Sequence, residues 1–129
     1  MIIGYTSGVF DMFHIGHSNF LEECRKYCDI LYVAVDSDNR VKVLKGKNRP
    51  MNNITTRLFN VNEHCDISFI KIFPSQYYLN LIKPDIIFES SIKIQSKKHF
   101  SHNLNIVKIP YTHGVSTTKL IQIASEVSD

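Results

Sequence analysis

The chain has 129 residues, enough for one domain with a single sizeable core. Its 43% hydrophobic and 21% charged residues are ordinary for a globular protein, and a net charge of +3 suits phosphorylated ligands but is too mild to indicate nucleic-acid binding. No apolar run approaches the ~20 residues of a membrane span. The stretch "MIIGYTSGVFD" lacks the pattern of a signal peptide, so we expect no membrane partner and a cytoplasmic location.

In chain order, the apolar patterns alternate between the periods of strands and helices. We predict a strand in "MIIGYT", a helix in "HSNFLEECRKYC", a strand in "DILYVAVD", a helix in "TTRLFNVNEHC" and a strand in "DISFIKIF". A helix in "PSQYYLNLIK" follows, with Tyr78, Leu81 and Ile82 facing inward, and then strands in "DIIFES" and "NLNIVKIPY" and a last helix in "STTKLIQIASEV". The segment "IKIQSKKHFS" has no clear pattern.

This alternation indicates the fold class. Strands that are apolar on both faces and separated by helices form a parallel sheet with right-handed crossovers. We therefore predict an α/β protein with a Rossmann-like, doubly wound, five-stranded parallel sheet, in a single domain over residues 1–129.

The unusual polar residues follow the predicted strand ends, in "SGVFDMFHIGH", "DSDNRVKVLKGKNRP", "ESSIKIQ" and "YTHGVSTT". We expect loops there, and ligands of doubly wound sheets bind at this edge. Gly8 and Gly16 allow close approach of the backbone to a ligand, and His14 and His17, three residues apart near a helix start, share one face. Imidazole donates to phosphate oxygens, and Asp11 could position magnesium or a ligand hydroxyl. Taken alone, the histidines also fit surface residues.

The three cysteines do not predict a disulfide framework. Cys24, Cys28 and Cys65 are an odd number, and no secretory signal accompanies them. Zinc is a second possibility because His14 and His17 lie nearby, but a zinc site needs ligands that converge in tight pairs. We therefore predict buried thiols.

Three segments together resemble a known superfamily. "FDMFHIGH" resembles the HxGH motif of the nucleotidyltransferases that include the cytidylyltransferases, and "AVDSDNRVKVLKGKNRPMNNITTR" resembles their second conserved segment. "GVSTTK" is similar to the Ser/Thr-rich turn that opens the last helix of these enzymes. The resemblance covers essentially the whole chain. It implies an enzyme in which an acceptor phosphate attacks the α-phosphorus of a nucleoside triphosphate, brought with Mg²⁺, and releases pyrophosphate.

The resemblance also implies roles for individual residues. His14 and His17 would hold the triphosphate and stabilise the transition state, and Lys45 would bind the α-phosphate and the acceptor phosphate. Arg57 would lie on the β- and γ-phosphates. The other nucleotide-binding residues would be Gly8, Val9, Phe10, Asp11, Gly114, Ser116, Thr117 and Thr118, and the acceptor would meet Asp38, Glu89 and Tyr111. No metal site is expected from the protein alone, with Asp11 near magnesium at most.

The base and the acceptor stay open at this point. The chain is most similar in size to glycerol-3-phosphate cytidylyltransferase, an enzyme of cell-envelope polymer synthesis, but it has Tyr111 where that family has arginine. The stretch from Lys45 to Arg57 instead resembles the adenylyltransferase domain of ADP-heptose synthesis. Both families have Gly-Asp where this chain has "ESS". We expect CTP or ATP and a phosphorylated sugar or polyol as substrates, in a homodimer. The alternative hypothesis is a degenerate nucleotide-binding module.

Overall fold

The computed structural model describes residues 1–90 and 105–110. The elements in chain order are β1 (Ile3–Gly8), α1 (Ile15–Arg25), β2 (Ile30–Asp36), α2 (Asp38–Lys45), α3 (Ile54–Asn62), β3 (Ile67–Lys71), α4 (Ser75–Ile82), β4 (Ile86–Ser90) and β5 (Asn105–Ile109). In these two ranges, no helix has the length and apolar character required to cross a bilayer. The predicted helix in "STTKLIQIASEV" and the segment "IKIQSKKHFS" lie outside the described residues.

All five strands form one parallel sheet in the order β3-β2-β1-β4-β5. This confirms the predicted Rossmann-like fold. The order reverses after β1, because β2 and β3 lie on one side of β1 while β4 and β5 lie on the other. The topological switch point is therefore between the carboxyl ends of β1 and β4, which is where such sheets bind ligands. The domain extent of residues 1–129 stays a prediction.

Two apolar layers cover the sheet, one on each face. The larger contains residues of α1, β2 and α3, including Phe20, Leu21, Cys24, Val33 and Val61. The smaller packs α4 against the opposite face through Tyr5, Ala34, Tyr78, Leu79 and Ile87. Strands buried on both faces explain the continuous apolar runs in the sequence.

The two central strands part before they end. The β1–β2 ladder runs from Ile3 to Gly8, but the β1–β4 ladder pairs only Gly4 with Ile86 and Tyr5 with Ile87. Just beyond, the Thr6 hydroxyl donates to the Phe88 carbonyl oxygen at 2.9 Å. A side-chain hydrogen bond thus replaces the backbone ladder at the switch point.

Two predictions about elements are wrong. The loop predicted over "DSDNRVKVLKGKNRP" contains α2, which begins after Ser37, whose hydroxyl accepts the Arg40 N–H at 3.2 Å. Only Val41 of this helix is buried, so no apolar stripe indicates it. In α4, Leu81 is 66% exposed, because Tyr78 and Leu79 face the sheet instead.

Candidate active site

The two motif histidines close the first turn of α1 with their own rings. His14 is the N-cap, and its Nδ1 accepts the Gly16 N–H at 3.0 Å. In return, Nδ1 of His17 accepts the His14 N–H at 3.2 Å. This is a reciprocal capping box in which imidazoles take the places usually held by hydroxyl and carboxylate groups. The rings stack with centroids 4.0 Å apart, so the structure brings the two residues together as their spacing predicts.

The capping bonds determine which ring nitrogen carries the proton. A ring nitrogen that accepts a backbone N–H must be unprotonated, so the neutral rings carry their proton on Nε2. Burial also lowers the pKa of His14 below its ordinary value. In the neutral form, each ring therefore carries its N–H donor on Nε2.

His17 is packed more tightly than a solvent-facing loop would allow. It is only 4% exposed. Phe13 stacks on its ring at 5.2 Å between centroids, and Phe10 meets it edge-on at 5.6 Å. Substitution of His17 therefore changes packing as well as chemistry.

The turn that leads to the histidines is held in a strained backbone conformation. Phe10 and Met12 have φ of 52° and 49°, in the left-handed region that non-glycine residues rarely adopt. Gly8 is required beneath them, because a Cβ at that position would lie 2.9 Å from the Phe10 ring. Strain of this kind persists only where the surroundings impose it.

Asp11 is one of the groups that impose it. Its carboxylate is fully buried and accepts the backbone N–H groups of Met51 at 2.7 Å and Asn52 at 2.8 Å, with Arg49 Nε at 3.4 Å. It fixes the segment after α2 onto the turn after β1. The expected proximity of Asp11 to magnesium stays a prediction. In the structure both of its carboxylate oxygens accept hydrogen bonds from the backbone.

Arg57 also attaches the segment after α2 to the turn after β1. Its side chain is 0% exposed, and Nη1 donates to the carbonyl oxygens of Val9 at 2.9 Å and Asp36 at 2.7 Å. Nη2 donates to Asp38 Oδ1 at 2.6 Å, and Nε donates to the Asn52 carbonyl oxygen at 2.9 Å. One guanidinium thus joins three segments at the carboxyl edge: the turn after β1, the junction of β2 and α2, and its own segment before α3. The contact of Arg57 with the β- and γ-phosphates stays a prediction. In the structure each guanidinium nitrogen donates a hydrogen bond to the protein.

Other predicted site residues lie on elements that begin or end at this edge of the sheet. Lys45 ends α2 and is exposed, and Asp38 begins α2 with its carboxylate on Arg57. Glu89 lies at the end of β4, half-buried. The remaining predicted site residues, Gly114, Ser116, Thr117, Thr118 and Tyr111, lie outside the described residues.

Lys71 is a polar residue at this edge that the sequence analysis missed. It ends β3, is 3% exposed, and its Nζ donates to Ser75 Oγ at 2.6 Å and Ser7 Oγ at 3.3 Å. The signal was available, since Lys71 lies at the carboxyl end of a strand, within the apolar run "DISFIKIF".

The cysteines behave as predicted in the part of the chain that the structure describes. Cys24 and Cys65 are buried and Cys28 is partly buried, all as free thiols. Burial raises the pKa of all three, that of Cys65 to about 11. Within residues 1–90 and 105–110, no group of three His, Cys, Asp or Glu side chains could hold a metal ion.

Comparison with known proteins identifies the family. The chain matches the cytidylyltransferase-like family over residues 5–123. It belongs to this family. Membership confirms the resemblance seen in the three segments.

Two curated relatives align with most of this chain. The bifunctional protein HldE of Campylobacter fetus is 37% identical over 121 residues, which cover 91% of this chain and 26% of the relative. The HldE of Aliarcobacter butzleri is 32% identical, covering 96% of this chain and 27% of the relative. The chain therefore spans about a quarter of the length of these relatives.

A structural neighbour has nearly the same size as this chain. The lipopolysaccharide core biosynthesis protein from Thermoplasma volcanium aligns with a TM-score of 0.71 and 27% identity, over 87% of this chain and 98% of that one. Pantoate-beta-alanine ligase from Francisella tularensis, at 15% identity and a TM-score of 0.58, shares the fold alone.

Proposed function

We propose that this protein transfers a nucleoside monophosphate from a nucleoside triphosphate to a sugar phosphate and releases pyrophosphate. The observation that carries the proposal is the histidine capping box, which places two Nε2–H donors at the start of α1, beside the switch point of the sheet. Phosphate oxygens that gain negative charge in the transition state are stabilised by such preorganised donors.

In this reaction an oxygen of the acceptor phosphate attacks the α-phosphorus, and the bond from the α-phosphorus to the bridging oxygen of pyrophosphate breaks. The protein contributes positioning and charge stabilisation. His14 and His17 donate to the phosphates, the exposed Lys45 offsets charge on the α- and acceptor phosphates, and Gly8 to Phe10 lie beside the nucleotide. Mg²⁺ bound by the triphosphate offsets further charge.

The comparisons favour one acceptor over the other. Similarity to the bifunctional HldE proteins and to a lipopolysaccharide core biosynthesis protein supports adenylyl transfer to a heptose 1-phosphate-like sugar. Glycerol 3-phosphate with CTP, the first expectation from chain length, has less support. The segment from Lys45 to Arg57 resembles the adenylyltransferase domain of ADP-heptose synthesis, and this resemblance favours the same acceptor.

The test is pyrophosphate release with ATP, CTP, UTP and GTP, each combined with heptose 1-phosphate and with glycerol 3-phosphate. ATP with heptose 1-phosphate should give the highest kcat/KM. CTP with glycerol 3-phosphate as the best pair would reverse the assignment. Triphosphate binding without turnover in any combination would make the protein a degenerate nucleotide-binding module.

We also propose that the protein is a homodimer, as the family resemblance implies. β3 is an edge of the described sheet, and its side carries exposed apolar residues, among them Ile67, Ile70, Ile72, Phe73 and Tyr77. Such an edge favours pairing with another chain. Light scattering of the wild type should give twice the mass of one chain. For Ile72→Lys the measured mass should fall toward that of one chain.

A further inference from the structure

We propose that His64 is a positioning residue for His17 and acts through the ring of Phe13. His64 lies in the connection from α3 to the amino end of β3, so it is assigned no contact with a substrate at the carboxyl edge of the sheet. The inference rests on the proposed function in one respect, because that function gives His17 a phosphate to contact. The orientation of the His17 ring is a separate matter and can be measured without a substrate.

Stacked rings connect His64 with the motif histidines. The centroids of His64 and Phe13 are 5.6 Å apart with 17° between the planes, and those of Phe13 and His17 are 5.2 Å apart with 25° between the planes. Both contacts fall within the usual range for aromatic pairs, about 4.5–7 Å. His14 then stacks on His17 at 4.0 Å. Rings from the start of α1 and from the end of α3 thus form one continuous stack.

The stack supplies a constraint that the capping box alone does not. The bond from the His14 N–H to Nδ1 of His17 is 3.2 Å long and locates one atom of the ring. A hydrogen bond to one atom does not define the plane of the ring, whereas a flat ring packed on its face does. Phe13 supplies that face. The orientation of Phe13 therefore determines the direction in which Nε2 of His17 points.

His64 is itself held in place by α1. Its Nδ1 lies 2.8 Å from Glu22 Oε2, and because a carboxylate only accepts hydrogen bonds, Nδ1 carries the proton of this bond. The His64 N–H also donates to the Val61 carbonyl oxygen at 2.9 Å. Glu22 and His17 belong to the same helix. Phe13 therefore contacts two rings whose positions are both fixed by α1.

The exposure of these groups indicates that the arrangement serves orientation more than stability. The side chains of His64 and Glu22 are 24% and 48% exposed, and exposed pairs of this kind contribute little to folding. His17, by contrast, is 4% exposed. Displacing a group that acts on the reacting atoms by about 1 Å can lower the rate about 100-fold. The loss of His64 should therefore affect turnover more than it affects the melting temperature.

The kinetic experiment compares His64→Ala and His64→Phe with the wild type and with Glu63→Ala, a matched control at the exposed neighbouring residue. Alanine removes the ring, whereas phenylalanine retains a ring on Phe13 without the bond to Glu22. His64→Ala should lower kcat about 2- to 12-fold, the factor that an aromatic contact contributes, with KM for ATP and heptose 1-phosphate changed less than about twofold. His64→Phe should restore most of kcat, and Glu63→Ala should match the wild type.

A purely structural role predicts a different result. It would lower the melting temperature of His64→Ala and leave kcat unchanged well below that temperature, and this outcome would overturn the inference. An equal loss of kcat in His64→Phe and His64→Ala would overturn it as well, because the stack would not be the cause.

Nitrogen-15 NMR of the imidazole rings tests the inference without any substrate. The His17 signals are those that disappear in His17→Gln. In the wild type they should show one neutral tautomer, with the proton on Nε2, and in His64→Ala they should show a mixture of tautomers as the capping bond weakens. An unchanged His17 spectrum contradicts the positioning role even in an active enzyme. A wild type that turns over no acceptor contradicts the proposed function, whereas a changed spectrum would still support the role of His64 in orienting His17.

Discussion

At the scale of single residues, His14 and His17 each have a structural task on Nδ1 and, under the proposed function, a chemical task on Nε2. Nδ1 accepts a backbone N–H in the first turn of α1, and Nε2 carries the proton of the neutral ring. An alanine substitution removes both at once. Variants that retain the cap but lose the imidazole are needed to tell the two tasks apart.

His14→Asn is such a variant. Asparagine is among the best N-caps, so its side-chain oxygen should replace Nδ1 as acceptor for the Gly16 N–H. We expect the free energy of unfolding to stay within about 0.5 kcal/mol of the wild type, whereas His14→Ala should lose about 1 kcal/mol. Turnover should fall at least about 100-fold in both variants, because each lacks the Nε2–H donor. Retained turnover in His14→Asn would show that the ring acts only as a cap.

The pH dependence of stability follows from the same residue. Burial lowers the pKa of His14 in the folded protein, so the unfolded chain binds more protons between the folded pKa and the ordinary value of about 6.5. Stability should therefore rise with pH through that window and be lost as the pH falls below about 6.5. Urea unfolding of the wild type and His14→Asn at several pH values measures this, and the wild type should show the steeper loss. Parallel curves would contradict it.

At the scale of elements, the carboxyl edge is assembled by two buried charged side chains. Asp11 and Arg57 attach the segment after α2 to the turn after β1, while the elements themselves contribute little apolar contact there. Of α2, only Val41 is buried. The orientation of the lysine-bearing helix relative to the histidines thus depends on polar clamps.

Arg57→Met should show the size of this contribution. Methionine fills similar space but donates no hydrogen bonds, which leaves the Val9, Asp36 and Asn52 carbonyl oxygens and the Asp38 carboxylate without their donor. We expect a loss of about 3–5 kcal/mol in urea unfolding, the range for breaking a buried charged interaction. Arg25→Met is the control, because its ion pairs are exposed and contribute about 0–1 kcal/mol. Equal losses in the two variants would refute the clamp.

The elements also show what the sequence could predict. Five apolar runs predicted five strands; burial on both faces explains the signal of the inner strands β1, β2 and β4, whereas the edge strands β3 and β5 are apolar but partly exposed. Helix α2 gave no such signal, since a serine cap and one buried valine are enough to form it here. Motif spacing does not report burial, so the sequence could not predict that the Arg57 side chain is 0% exposed. Besides Asn52 of its own segment, its partners Val9, Asp36 and Asp38 come from two segments that only the fold brings near it.

At the scale of the whole molecule, the fold is held by its core without cross-links in the part that the structure describes. Cys24, Cys28 and Cys65 are free thiols, and burial raises the pKa of each. The thiolate is the reactive form, so alkylation should be slow while the protein is folded.

Iodoacetamide at pH 7.5 should therefore modify the native cysteines much more slowly than the urea-unfolded chain. Cys28, which is only partly buried, should react first among the three. Mass spectrometry of digested samples follows each site separately. A chelator should leave the rates unchanged, and faster alkylation after chelation would indicate a bound metal.

The capping box also determines how far from the end of α1 a phosphate ligand would bind. In many phosphate sites the ligand lies directly on the amide groups of a helix end. Here the rings occupy the amide groups of His14 and Gly16, and each ring offers its outer nitrogen instead. The point of contact is thereby displaced from the helix axis by the width of an imidazole. Under the proposed function, the triphosphate would lie about one imidazole width from the end of α1, and the acceptor phosphate would approach in line through the space between them.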